Sequence, residues 1–333
     1  MVDFDRFCMS LAIDEAWKYQ GLTYPNPAVG AVVTKNGKIL SIEAHKEAGE
    51  PHAEVLAIKE AYHRLSGDNE ILKLSDSAEI HTYLQQNAKK FFYDATIYIT
   101  LEPCNHYGKT PPCSTLIKNL KFKRVVISVK DPNIEASGGV DNLKKSGMLV
   151  EEGLMAKEGE KLIEPFKKWR GDGFVFFKLA QTLNGIIAPG IISSKKSREY
   201  VHKIRDKIEL LVIGGNTIRT DRPTLDSRLV QGRAPDVLIY SKKKDFDKDI
   251  PIFSVKNRKV YIESSFERLK EYRYIMIEGG EGMLKATSKI VNWYLFFIAP
   301  KFKEGLGYSL NRELKILNKR NIGKDLVIWS ENE

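Results

Sequence analysis

His52-Ala53-Glu54, followed at a distance by Pro103-Cys104 and then Cys113, is the stretch on which the reading of this chain turns. One imidazole and two thiols suit zinc, and three protein ligands leave a tetrahedral ion one position for water, whereas a structural zinc is closed by four. Glu54 stands two residues beyond the His, is not needed as a ligand, and is free to carry protons for that water. Residues 53–61 read as a helix opening at His52, residues 96–100 as a strand running into Glu102-Pro103-Cys104, and residues 114–120 as a helix with Cys113 at its first turn. The expectation is one catalytic zinc per chain, held by His52, Cys104 and Cys113, with Glu54 as catalytic carboxylate.

The same alternation extends outward from this core. A helix over 5–19 precedes strands over 29–34 and 39–44, and Asn36-Gly37 between them is a strong hairpin signal. Residues 66–90 are polar and read as an irregular excursion. A strand over 124–129, a turn at Asp131-Pro132 and a short helix over 140–146 complete an α/β domain spanning 1–148. The charged segment 149–172, ending in Arg170-Gly171-Asp172-Gly173, reads as a linker. A second α/β domain then spans 173–333, with strands over 174–180, 210–213, 237–240, 274–277 and 293–299 and helices over 195–205 and 283–290. In it, Gly214-Gly215-Asn216-Thr217 and Glu278-Gly279-Gly280-Glu281-Gly282 each follow a strand and precede a helix, where glycine and unpaired N–H groups favour phosphate. Their spacing is not that of the Rossmann dinucleotide fingerprint.

A length of 333 residues allows two domains at about 150 residues each. The formal charge of +10 raises nucleic acid as a partner, but the lysines are dispersed, and clusters such as Lys242-Lys243-Lys244 lie beside aspartates. A solvated basic surface is expected, with no nucleic-acid partner and with small phosphorylated substrates compatible. No apolar run approaches the roughly 18 residues of a membrane span, and the N-terminus lacks a signal-peptide layout. Two cysteines assigned to metal and a single Cys8, on the core-facing stripe Phe4, Phe7, Cys8, Leu11, Ala12, place the chain in a reducing cytoplasm. A homo-oligomer is compatible with the sequence but not specified by it.

The zinc pattern is similar to that of the nucleobase deaminases, whose common signature has two residues between the cysteines; this chain has eight, 105–112. The run Glu102-Pro-Cys-Asn-His-Tyr-Gly-Lys-Thr-Pro-Pro-Cys113, with Asn26-Pro27-Ala28-Val29-Gly30, His45 and His52-Ala53-Glu54, resembles the deaminase half of the bifunctional riboflavin biosynthesis deaminase–reductase family. Lys178-Leu-Ala-Gln-Thr-Leu-Asn-Gly185, Arg205, Thr217, Asp221-Arg-Pro-Thr-Leu225, Arg228 and Glu278-Gly279-Gly280 resemble its reductase half.

The resemblance implies an N-terminal cytidine-deaminase-like α/β/α domain followed by a dihydrofolate-reductase-like α/β domain, with zinc and NADPH as cofactors. It implies a phosphorylated pyrimidine substrate, 2,5-diamino-6-ribosylamino-4(3H)-pyrimidinone 5′-phosphate, deaminated first and then reduced from ribosyl to ribityl. Asn26, His45, His106 and Lys109 match substrate positions of the deaminase. In the reductase, Arg205, Leu225, Arg228 and Glu278 match substrate positions, and Ala180, Thr217, Asp221, Gly279 and Gly280 match cofactor positions. Asn184 and Arg222 stand where the family usually has Asp, a Trp usual before Ile192-Ser193-Ser194 is missing, and the stretch from Glu54 to Cys104 is longer than usual. The alternative is a zinc deaminase of nucleosides or tRNA whose second domain is inactive or regulatory.

Overall fold

A computed structural model describes residues 3–108 and 111–333, so Lys109 lies outside the described residues. The chain divides into two compact units, Met1–Lys167 and Lys168–Glu333.

In the first unit, α1 (Phe4–Trp17) starts at Asp3, whose carboxylate accepts from the N–H groups of Asp5 and Arg6. It lies on the hairpin β1 (Gly30–Lys35) and β2 (Lys38–Ala44), which turns through Asn36 and Gly37 with φ of 52° and 72°. Two positive φ values match the twist of a two-residue hairpin, and Lys35 pairs with Lys38 as that turn requires. Next come α2 (Ala53–Ser66), α3 (Glu70–Lys73), α4 (Ser77–Asn87), β3 (Ala95–Leu101), α5 (Cys113–Asn119), β4 (Arg124–Val129), α6 (Gly139–Lys145), β5 (Leu149–Glu152) and α7 (Ala156–Leu162), and α8 (Glu164–Trp169) runs across the boundary into the second unit. The sheet order is β2-β1-β3-β4-β5, antiparallel through β1 and β3 and parallel through β3, β4 and β5. Val33, Ile97, Ile99, Val125 and Ile127 share one core with residues of α2, α4, α5 and α6, while α1 and α7 contact the sheet strands as well as each other. The layers are α/β/α, as expected.

Two expectations are corrected here. Residues 66–90 are not an irregular excursion: they form α3 and α4, and Ile71, Ile80 and Leu84 are completely buried in the core. Asp76 caps α4, and the apolar spacing Ile80, Leu84, Ala88 is helical; the flanking polar residues hide that period. The supposed linker 149–172 holds β5, α7 and α8, with Leu149 paired to Arg124 at the sheet edge. Its charge belongs to the solvated faces of short amphipathic elements.

The second unit contains β6 (Phe174–Thr182), α9 (Lys195–Lys207), β7 (Leu210–Gly214), α10 (Gly215–Asp221), β8 (Asp236–Tyr240), β9 (Val260–Glu263), β10 (Tyr274–Glu278), α11 (Glu281–Ala286), β11 (Trp293–Ala299), β12 (Leu314–Ile322) and β13 (Asp325–Asn332). The order is β12-β13-β11-β6-β10-β7-β8-β9, parallel from β11 through β9 and closed by the antiparallel β13 and β12. The central strands are continuous apolar runs because they are covered on both sides. Phe177, Leu210, Val212, Ile275 and Ile277 belong to one core with Leu284 of α11, and Phe176 packs on Tyr274 and Trp329.

Candidate active sites

The first site is assembled by three chain segments that end at the same place. His52 caps α2 with extended backbone, so its ring is held at the helix entrance rather than along the helix. Cys104 follows β3, and Cys113 opens α5. The His52 Nδ1 atom lies 3.7 Å from Cys104 Sγ and 3.4 Å from Cys113 Sγ, and the Cys113 N–H donates to Cys104 Sγ at 3.4 Å. The three ligand atoms lie within 4.8 Å of one another, and among the described residues no other His, Cys, Asp or Glu joins the group. That donor set fits zinc with one position left for water.

Glu54 is in the first turn of α2, 4% exposed and outside the ligand set. Burial pushes its carboxyl up to about 7, against the pull of His52. Burial opposes charge on His52, but its hydrogen bond to Cys104 and the nearby Glu54 hold it up at about 9. Cys104 is brought down to about 4, first by its hydrogen bond with Cys113 and then, against burial, by His52. The direction of that shift favours the thiolate form that a zinc ligand takes.

Asn26 and His45 belong to the same neighbourhood. The Asn26 amide nitrogen is 3.1 Å from His45 Nε2, His45 Nδ1 is 3.2 Å from the Pro51 carbonyl, and the His45 and His52 rings meet edge-on at 5.4 Å. Burial pushes His45 down to about 4, so the ring is neutral, donating from Nδ1 to Pro51 and accepting at Nε2 from Asn26. His106 is on the exposed loop between the two cysteines.

Sequence reasoning assigned no task to Glu102, which ties the end of β3 to the segment between β4 and α6. Its buried carboxylate accepts from the N–H groups of Asp131, Gly138 and Val140 at 3.2, 3.0 and 3.0 Å. A Cβ on Gly139 would stand 2.0 Å from the Pro103 carbonyl oxygen, so glycine is needed for α6 to approach the Cys104 segment. A glutamate directly before Pro-Cys at a strand end was the available signal.

In the second unit a cavity of about 600 Å³ opens at the carboxyl ends of β6, β7 and β10, the usual place for ligands in a parallel sheet. Ala180, Arg205, Thr217, Asp221, Glu278, Gly279 and Gly280 all line it. Both glycine segments sit as read from the sequence: β7 ends at Gly214 before α10, and β10 ends at Glu278 before α11. The first-turn N–H groups of a helix have no partner within it, which suits a dinucleotide's phosphates. Arg205 donates to both Glu278 oxygens at 2.9 and 3.1 Å, with both side chains nearly nine-tenths buried.

Leu225 and Arg228 are not among the residues lining this cavity. Arg228 pairs instead with Asp226 at 2.6 Å on an exposed turn, and Leu225 is packed inside with φ of 55°. The cavity also takes in Lys178 and His202, which sequence reasoning did not assign. The signals were periodic: Lys178 is two residues before Ala180 on a strand, and His202 is three before Arg205 on a helix. Burial pushes Lys178 below its ordinary value against the pull of Glu278, and burial together with Arg205 pushes His202 down to about 4. The two departures at 184 and 222 fall outside the lining. Asn184 donates its amide to the Lys303 carbonyl at 2.8 Å, which an Asp could not do, and Arg222 pairs with Asp247 at 2.6 Å.

An α/β/α unit carrying a His, Cys, Cys centre beside a buried glutamate, followed by a parallel-sheet unit with a phosphate-suited cavity, defines a zinc deaminase joined to a second enzyme domain. Residues 2–129 match the cytidine and deoxycytidylate deaminase zinc-binding region, and residues 173–310 match the RibD C-terminal domain. The chain is 32% identical to the riboflavin biosynthesis protein RibD of Aquifex aeolicus, across 98% of each chain. It is 28% identical to that of Actinobacillus pleuropneumoniae, across 98% of this chain and 95% of the relative. Among solved structures, a diaminohydroxyphosphoribosylaminopyrimidine deaminase/5-amino-6-(5-phosphoribosylamino)uracil reductase from Thermotoga maritima superposes with a TM-score of 0.64 at 28% identity, covering 99% of both chains. Acinetobacter baumannii RibD has the same fold, with a TM-score of 0.65 at 23% identity. The chain belongs to the RibD family of bifunctional riboflavin biosynthesis enzymes, a zinc-dependent deaminase followed by an NADPH-dependent reductase. Among the described residues no helix is long and apolar enough to cross a membrane.

Proposed function

We propose that the first unit deaminates 2,5-diamino-6-ribosylamino-4(3H)-pyrimidinone 5′-phosphate and that the second reduces the ribosyl group of the product to ribityl, in the cytoplasm. The observation that carries the first step is a buried Glu54 beside a three-ligand centre that it does not join. His52, Cys104 and Cys113 would hold zinc, which when bound would lower the pKa of water for the hydrolysis. Glu54 takes one proton of the water on its carboxylate and gives it to the pyrimidine ring, then takes the second, released as the new C–O bond becomes a carbonyl, and gives it to the departing amine. The net change is one water added and one ammonia lost. Burial suits Glu54 to this exchange, since a carboxyl near neutrality both accepts and gives up protons readily. Asn26, fixed by His45, orients the ring, and His106 with Lys109 serves the phosphate side.

In the second unit Thr217, Asp221, Gly279 and Gly280 bind NADPH beside Ala180, and Arg205 with Glu278 faces the sugar. NADPH supplies the hydride, and the protein's task is to place it against the sugar carbon. The cavity at the strand ends supports this assignment; Leu225 and Arg228, outside its lining, are left to the substrate's outer end. The experiment is an assay of the zinc-loaded chain with the diaminopyrimidine phosphate, following ammonia release and NADPH oxidation separately. Both signals are expected, ammonia first; absence of ammonia removes the deaminase reading, and absence of NADPH oxidation removes the reductase one.

A further inference from the structure

The segment between α10 and β8, which carries Leu225 and Arg228, is tied down by a residue that the mechanism above does not use. Arg258, half-buried just ahead of β9, donates to the Thr224 carbonyl at 2.6 Å and to the Leu225 carbonyl at 2.8 Å, and also to the Ile252 carbonyl at 2.7 Å. Arg205 donates to the next carbonyl in line, that of Asp226, at 3.4 Å while it holds Glu278. Three successive carbonyls, 224 to 226, are thus taken by two guanidinium groups. Farther along, the Leu229 N–H donates to His202 Nδ1 at 3.4 Å and the Arg233 N–H to Asp206 at 2.6 Å, which fixes the same segment to α9.

The carbonyls of Thr224 and Leu225 stand on either side of the Leu225 Cα, so their relative direction is set by the φ and ψ of Leu225 alone. That φ is 55°, a left-handed conformation that a leucine keeps only where its surroundings impose it. A guanidinium is a planar, rigid fork of donors and can fix two carbonyls relative to each other, which a lysine ammonium, a point charge on a flexible stem, does less well. Arg228, exposed three residues on, is braced in turn by Asp226. We propose that Arg258 is a positioning residue of the reductase unit: by clamping the two carbonyls that flank Leu225 it sets the turn that presents Leu225 and Arg228 to the substrate's outer end. Arg258 is not among the residues lining the cavity and acts only through that turn. This inference rests on the reading of Leu225 and Arg228 as substrate contacts.

The test uses the full chain, with the KM for the deaminated pyrimidine phosphate and the KM for NADPH measured separately and ammonia release by the first unit followed as a control. Arg258→Met should raise the KM for the pyrimidine by about 10- to 100-fold, the scale of loss when a contact is displaced by a fraction of its reach, while the KM for NADPH, kcat at saturation and ammonia release stay at the parent's values. Arg258→Lys, which still donates to one carbonyl, should fall between the Met variant and the parent, and it supplies the reading if the Met variant fails to fold. In an Arg228→Ala background the effect of Arg258→Met should shrink, because both changes act on one contact. A folded Arg258→Met variant with the parent's KM for the pyrimidine overturns the inference, as does the Lys variant with that KM where the Met variant does not fold. An equal rise in the KM for NADPH, or failure of both variants to fold, makes Arg258 a residue of the fold alone and overturns it too. If Arg228→Ala by itself leaves the KM for the pyrimidine unchanged, the turn does not meet substrate and the underlying reading fails; if it raises that KM and Arg258→Met does not, only this inference fails.

Discussion

Glu54→Gln keeps the size of the side chain and removes its ability to shuttle a proton. Because a positioned carboxylate contributes about 10²- to 10⁴-fold to such reactions, the variant should bind zinc and fold normally while ammonia release falls by at least that order. Near-normal turnover would remove Glu54 from the mechanism. The four residues His52, Glu54, Cys104 and Cys113 were legible in the sequence because ligand type and helix or strand position together specify a metal centre. Glu102 was not, since what makes it matter is its buried carboxylate's three N–H donors, a product of packing. A second residue-scale prediction concerns Arg124, which donates to both Asp5 oxygens at 2.8 and 2.6 Å and to Glu151. The hydrogen bond from Arg124 holds Asp5 below the ordinary carboxylate value of 3.8, and Glu151 is lowered by the same partner. A carboxylate with a depressed folded pKa contributes fully above its unfolded value and loses that contribution as pH falls through the folded one. Arg124→Met should therefore cost about 1.5–3 kcal/mol at neutral pH, the worth of hydrogen bonds to charged groups, and this difference should shrink in acid. Denaturation midpoints measured from neutral to acid pH decide it; a pH-independent difference would assign the loss to packing alone.

At the scale of elements, legibility followed the strength of the local signal. Asn36-Gly37 between two apolar runs specified the β1–β2 hairpin, and the parallel strands of the second unit declared themselves as unbroken apolar runs. β12 escaped because it is an edge strand carrying the exposed Lys315 and Lys319, charges that keep an edge from pairing with another molecule. β13 carries a readable alternation, with Val327 and Trp329 buried, and Gly323-Lys324 is the tight turn that joins it to β12, with Ile322 paired to Asp325. α3 and α4 were masked by polar residues on their outer faces. Contact between elements supplies a prediction of its own. A Cβ on Gly30 would fall 1.9 Å from the Ala12 carbonyl oxygen, so α1 can lie against β1 only because that residue is glycine. Gly30→Ala should push α1 off the sheet and destabilise the chain by about 1–3 kcal/mol, the usual cost of overpacking. Gly282→Ala is the contrast, since its Cβ would meet nothing within 4 Å and its backbone is helical. It should melt within about 1 kcal/mol of the parent or slightly above it. Equal effects of the two substitutions would show that the close approach at Gly30 is not what limits α1.

For the whole molecule, the central fact is that each unit has its own sheet, its own core and its own site. The metal ligands end at Cys113 in a unit closing at Lys167, and the cavity residues run from Lys178 to Gly307 in the unit that follows. Two activities built on separate cores should fail separately. Cys104→Ser removes a thiolate ligand without touching the second sheet, so it should abolish ammonia release while leaving NADPH oxidation intact when the already deaminated pyrimidine is supplied. Asp221→Ala alters a partly open cavity residue at the end of α10, away from any buried ion pair, and should raise the KM for NADPH while ammonia release continues unchanged. Arg205→Ala is a poorer probe, because it leaves Glu278 charged and unpaired in the interior, where breaking such a pair costs about 3–5 kcal/mol and confounds activity with folding. The positions of Asn184 and Arg222 outside the cavity lining lead to the expectation that the reductase is active despite those departures. Asn184→Asp should accordingly weaken the turn it ties to Lys303 rather than improve NADPH oxidation, because the new carboxylate cannot donate to that carbonyl. A gain in reductase rate from Asn184→Asp would mean that residue 184 reaches the cofactor after all.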